Sequence, residues 1–167
     1  MYNIALTRFN TNTWNELTMW KYRYKNNIVN KSYDKIDNFC IYNTPVKIKD
    51  SVKYNIPLFV IEMHNDKNQI MGIGFIYNVV FKKKYNIYKS GNYNRFSYKG
   101  NYRIDRSLFN KREIIIIEIL ETLIFKGSRH SKRGQGITII PNWILKNKYI
   151  DFINFIKEMF INREIIL

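Results

Sequence analysis

Cysteine is nearly missing from this chain: Cys40 is the one copy in 167 residues. That excludes a disulfide framework and a cysteine-based zinc site. Histidine is scarce as well, at two copies, His64 and His130. No uncharged apolar run approaches the about 18 residues of a membrane span. The longest apolar region, 114–125, is broken by Glu118 and Glu121. The opening residues, Met1 to Leu6, have neither the basic start nor the long apolar stretch of a secretory signal peptide. These deficits lead to the expectation of an intracellular protein, in cytoplasm or nucleus, with no membrane partner. Acid is the last shortage: 13 Asp and Glu stand against 28 Lys and Arg, a net charge of +15.

What is present is a chain of one-domain size, 1–167, with 46% apolar residues, enough for a packed core. The charge predicts a polyanionic partner, most simply nucleic acid, RNA or DNA. A second bias tempers this. Ile (28), Asn (22), Lys (19) and Tyr (13) are all encoded by AT-rich codons, as in the genome of a large DNA virus or an AT-rich microbe, so codon drift is an alternative source of part of the lysine. The nine arginines resist that explanation better, so their positions carry more weight.

The pattern along the chain is α+β. A strand is expected over 3–8 and a helix over 13–24, started by a Thr13/Glu16 capping box. The polar stretch 25–38 reads as a loop, and 39–42 as a short strand closed by Asn43-Thr44-Pro45. Residues 57–63 and 69–81 form a hairpin around the turn 64–68. By parity Met71, Ile73, Phe75 and Tyr77 share one face of its second strand, and Gly72 and Gly74 the other. Two bare positions on one face let something come close to the backbone, either a packed helix or Trp, or a ligand. Two short strands, 85–88 and 94–104, are expected next, then a helix over 113–125 with Ile116, Ile119, Leu120, Leu123 and Ile124 on its apolar side. A loop 128–136, a strand 137–140 and a helical stretch from 141 to about 161 complete the chain. The expected architecture is a small curved sheet or barrel with about three flanking helices.

Three constellations are candidates for chemistry. Lys126, Arg129, Lys132 and Arg133, with His130, fall within eight residues, and no acid occurs from 122 to 150. Gly127, Gly134 and Gly136 allow tight turns that present N–H groups. Such a loop suits phosphate by charge and main-chain donors together. The alternatives are a solvated basic loop and a substrate-phosphate site. In the second constellation Arg95, Arg103 and Arg106 alternate with Tyr93 and Tyr98, inside a segment 82–112 of ten cations and one acid, Asp105. Rings and cations together offer stacking faces and phosphate contacts, or else the rings face the core and the cations face water. The third pairs Trp14 with Trp20, one of which could line an aromatic pocket for a base or methylated base. Tyr42, Asn43 and Pro45, just past a strand end, are candidate pocket walls.

Enzyme signatures are weak. Glu62 and His64 invite a metal-dependent nuclease reading, but two ligands without a third are poor evidence, and turn polarity accounts for them. Cys40 on an apolar strand reads as a small buried hydrophobe. No catalytic residue, metal ligand set or cofactor is assigned.

The order of a strand, a Trp-bearing helix, a strand ending in Tyr42-Asn-Thr-Pro45, and the hairpin Phe59-Val-Ile-Glu-Met63 to Met71-Gly-Ile-Gly-Phe-Ile76 resembles the PUA-like superfamily, over roughly residues 1–80. Its EVE, ASCH and YTH branches are small curved β-barrels that bind RNA or DNA. Several hold a modified base in an aromatic pocket between barrel and helix. The resemblance implies that Trp14 and Tyr42 stand where such a pocket could be lined. The function expected is non-enzymatic nucleic-acid binding through basic loops, with reading of a modified base as an added role. A nucleic-acid enzyme and a virion protein condensing nucleic acid by charge are the rivals.

Overall fold

The computed structural model describes residues 1–28 and 39–165. The protein is α+β, built on a five-stranded sheet of order β6-β4-β3-β1-β7 and a two-stranded sheet β2-β5. The strands are β1 (Asn3–Phe9), β2 (Cys40–Thr44), β3 (Pro57–His64), β4 (Gln69–Tyr77), β5 (Phe96–Gly100), β6 (Tyr102–Asp105) and β7 (Thr138–Ile139). The helices are α1 (Thr11–Ile28), α2 (Lys111–Phe125), α3 (Asn142–Leu145) and α4 (Phe152–Ile161). Among the described residues neither sheet closes into a barrel; the curved open sheet is the form adopted. No described helix is long and apolar enough to cross a membrane.

β1 and β3 run parallel and register Asn3 against Leu58 through Phe9 against His64. Parallel neighbours need a crossover, and the chain between them supplies α1 and β2. The large sheet is buried on both faces. Ile4, Leu6, Ile61, Ile73 and Phe75 pack with α2, α3 and α4 on one side. Ala5, Phe9, Leu58, Val60 and Ile76 pack with α1 and the small sheet on the other.

The glycine face of β4 is covered by the small sheet, not by a helix, a tryptophan or a ligand. A Cβ on Gly74 would strike the Tyr42 hydroxyl and lie 2.8 Å from Cys40 Sγ. A Cβ on Gly72 would strike Arg103 and Glu62. The bare backbone therefore makes room for a buried polar cluster between the sheets.

Several boundaries differ from expectation. α1 begins at Thr11 because Asn10, not Thr13, caps it: Thr13 N–H donates to Asn10 Oδ1 at 2.8 Å, and Asn10 N–H donates to Thr13 Oγ1 at 3.0 Å. The expected loop 25–38 is helical through Ile28, and 29–38 lie outside the described residues. β4 stops at Tyr77. The expected strand 94–104 is two strands in different sheets, divided at Asn101. Segment 85–88 is not a strand. The last helical stretch is two helices, so the described residues hold four α-helices. α2 keeps Ile117, Leu120 and Ile124 inside and leaves Ile119 exposed. Its start is a full capping box between Asn110 and Glu113.

Candidate functional site: a cationic cavity at the end of β1

A cavity of about 260 Å³ opens where β1 and β2 end and α1 begins. Its walls come from Thr7–Asn10, Tyr42–Pro45, Asn65, Tyr88, Tyr93 and the loop from Lys132 to Gly136. No lining residue is acidic, and two, Arg8 and Lys132, are cationic.

Arg8 shares parity with Ile4 and Leu6, but it sits at the strand end, where the 131–138 segment meets it. Its Nε donates to the Ser131 carbonyl at 2.6 Å and Nη2 to Thr138 Oγ1 at 3.0 Å. The buried Nη1 has no protein partner. No carboxylate pairs with Arg8 among the described residues, although burial pushes its pKa down. The guanidinium stays protonated regardless. Two of its five N–H donors are used, and a buried unsatisfied donor costs about 1–3 kcal/mol. Asn65 is held from one end only: Nδ2 donates to the Lys132 carbonyl at 3.0 Å, and Oδ1 has no partner. An unpaired donor and an unpaired acceptor thus belong to the same wall.

The loop that carries Lys132 is shaped by glycine. Gly134 has φ +130° and Gly136 φ +68°, conformations that side chains disfavour. A Cβ on Gly134 would lie 3.2–3.3 Å from the Arg8 guanidinium, and one on Gly136 would lie 3.2 Å from Val46. The loop therefore lies flat against both neighbours. Ser131 N–H donates to the Ile124 carbonyl, and Lys132 N–H to His130 Nδ1.

The aromatic wall is made by Phe9, Tyr88 and Tyr93. Tyr93 is 45% exposed and meets Tyr88 edge-on at 6.1 Å. The segment bearing them is held by side chains. Asn94 Oδ1 accepts from Ile87 and Tyr88 N–H, and its Nδ2 donates to the Tyr88 carbonyl. Glu16 accepts from Lys89 N–H, which docks this segment on α1.

The structure brings Tyr42, Asn43, Pro45, Tyr93 and Lys132 of the expected site residues to the cavity. Tyr42 contributes almost no surface, because its ring points inward and its hydroxyl donates to Glu62 Oε1 at 2.9 Å. Lys126, Arg129 and Arg133 are exposed on the adjoining loop, with Arg129 4.3 Å over the Trp143 ring. Arg95 is exposed beside Phe96. Five assignments are corrected. Arg103 is not free for phosphate: it forks onto Glu62 at 2.7 and 2.8 Å and also reaches Asp105 at 2.8 Å. Arg106 is spent on Glu121 and the Ile70 carbonyl. Tyr98 is buried, and its oxygen accepts from Ile48 N–H at 3.0 Å. Trp14 and Trp20 stand off the cavity; Trp14 packs edge-on against Phe9 and Trp20 stacks on Tyr24.

Of the nuclease pair, Glu62 is committed to Arg103 and Tyr42, whereas the buried His64 Nδ1 has no hydrogen-bond partner among the described residues. Burial alone would raise the Glu62 pKa, but Arg103 outweighs it and holds the carboxyl below its ordinary range. His64 is buried beside Trp14, and its pKa is lowered by burial first and then by Lys67. Among the described residues no three His, Cys, Asp or Glu side chains are grouped to hold a metal. Burial pushes the Cys40 thiol up to about 11, so it is inert.

Sequence reasoning missed Arg8, Asn65 and Tyr88. The one available signal is Arg8 itself, a cation closing a strand that carries no other charge. No protein family, no curated protein and no solved structure gives a match to this chain.

Proposed function

We infer that this chain is a non-enzymatic nucleic-acid-binding domain that takes one nucleotide unit of its ligand into the cavity at the end of β1. The phosphate lies against Arg8 and Lys132, and the ring lies against Tyr88 and Tyr93. Arg129, Arg133 and Lys126 on the adjoining loop meet neighbouring phosphates. The observation that carries this reading is Arg8, a half-buried arginine whose buried Nη1 has no partner and which has no carboxylate among the described residues, in a cavity with no acid in its lining. Its missing counter-charge is best supplied from outside, as a charge-assisted pair. The size supports a nucleotide within a longer chain, since about 260 Å³ lies just under the roughly 300–1,000 Å³ of sites that enclose whole small ligands. The PUA-like resemblance supports the same reading in outline, with a pocket between sheet and helix bordered by Tyr42-Asn-Thr-Pro45. The off-cavity tryptophans leave a Trp14 or Trp20 base cage outside the proposal.

Fluorescence anisotropy with a labelled single-stranded oligonucleotide tests it. Arg8→Met is expected to weaken binding about ten- to a hundredfold, the worth of a charged hydrogen-bond pair, while circular dichroism shows an intact fold. Wild-type binding that Arg8→Met leaves unchanged contradicts the reading. Equal displacement by heparin and by any nucleic acid favours the condensing protein instead.

A further inference from the structure

Beside the cavity runs an open trough of about 430 Å³ between segments 47–54 and 78–82. Lys47, Lys49 and Lys82 line it, with Asp50 as the one acid. Tyr54 on its wall is 77% exposed. At the same side Lys47 and Arg95 lie over the Phe96 ring, at 5.5 and 5.9 Å from its centroid. None of these three lysines has a carboxylate partner among the described residues.

We propose that this trough is the track for the single strand that flanks the nucleotide held in the cavity. The inference rests on the function proposed above. Its warrant is contiguity. Tyr42 to Pro45 line the cavity and Lys47 to Asp50 line the trough, so Val46 alone divides them. Thr44 Oγ1 donates to the Val46 carbonyl at 2.7 Å, which tightens the divide. From Pro45 to Lys47 the chain spans at most about 7 Å, on the order of one phosphate-to-phosphate step along a single strand. A strand leaving the cavity over Val46 therefore meets Lys47 within one or two nucleotides. Cations beside exposed rings are the chemistry of single-strand binding, because phosphates take the charge and bases take the faces. A duplex does not suit, since a nucleotide enters a closed pocket only when unstacked.

The test uses the full chain and a mixed-sequence strand of about ten nucleotides, within the 4–16 covered by comparable single-strand sites. Three variants are compared with wild type: Lys47→Ala/Lys49→Ala/Lys82→Ala, the equal-charge control Lys111→Ala/Arg112→Ala/Lys148→Ala, and Arg8→Met. Three single-strand phosphate contacts at about 0.7 each predict that the trough variant lowers the slope of log K against log salt by about two. Affinity at 0.1 M salt falls about ten- to a hundredfold. The control is expected to stay within a few-fold of wild type, and a matching duplex to bind more weakly than the strand. A trough variant that binds like wild type, or a control that loses as much, overturns the track and leaves the cavity reading standing. A duplex binding as tightly as the strand also overturns it. Absence of wild-type binding, or an Arg8→Met variant that binds normally, overturns the parent reading and the track with it.

Discussion

Glu62 has no exposed surface, and three donors converge on it: the Tyr42 hydroxyl and two arms of Arg103. It sits where the β3–β4 register shifts between Ile61 and Met63. The shift, with Gly72 opposite, leaves room for a guanidinium between the sheets. Breaking a buried pair from one side strands the other charge, at about 3–5 kcal/mol. Glu62→Ala is therefore expected to lose that much in urea unfolding, and Glu62→Gln, which keeps the shape and an acceptor, clearly less. An alanine variant as stable as wild type would deny the cluster its structural role. Arg8 is the counterpart. Arg103 finds both its carboxylates within the protein and Arg8 finds none, so equal residue types have opposite prospects for binding. Only the fold tells them apart, because in sequence both sit on short strands.

At the scale of elements, the strands and helices with clear apolar periodicity were legible: β1, β3, β4 and α2 stand close to where alternation or helical spacing puts them. Three of the differences share one cause, asparagine side chains replacing backbone partners. Segment 85–88 has strand-like alternation and buries Tyr85, Ile87 and Tyr88. Yet Asn94 and Asn43 take its N–H and C=O groups, and no strand pairs with it. The final helix is cut because Asn147 accepts from Tyr149 and Ile150 N–H and donates to the Ile144 and Ile150 carbonyls. Asn10 displaces Thr13 as the cap of α1. The asparagine count reads as codon drift, but these four copies do local work that hydropathy cannot report. The sequence reads β5 and β6 as one strand because nothing local reveals that Gly100 passes under the Phe75 carbonyl, where a Cβ would clash. The cavity was half legible for the same reason: Tyr42, Tyr93 and Lys132 lie in conspicuous motifs, whereas Arg8 and Asn65 matter through partners more than 60 residues away.

Over the whole molecule, charge sets both pH response and binding. Glu62, Asp105 and Glu113 are each pushed up by burial but held lower, on balance, by arginine and hydrogen-bond partners. Their folded pKa values lie below the unfolded ones, so their stabilisation is complete above an unfolded pKa of about 4 and is lost as pH falls through the folded values. His64, also lowered by burial, adds a gentler loss beginning below its unfolded value of about 6.5. Thermal melts followed by circular dichroism should therefore decline slightly from pH 7 to 5 and steeply below about pH 4, with self-repulsion of a chain at +15 adding to the fall. A melting temperature unchanged down to pH 3 would contradict this. The cations do not spread uniformly in role: Arg103, Arg106 and Arg163 hold the fold together, while Arg8 and Lys132 line one cavity and Lys47, Lys49 and Lys82 the trough next to it. The most direct measurement is a ¹⁵N NMR titration of the whole chain with a short single-stranded oligonucleotide. The account predicts the largest shifts at Arg8 Nε and at the Lys132, Gly134 and Gly136 amides; shifts scattered over Lys111 and Arg112 of α2 and the lysines of the 146–148 turn, with the β1 end silent, would contradict it.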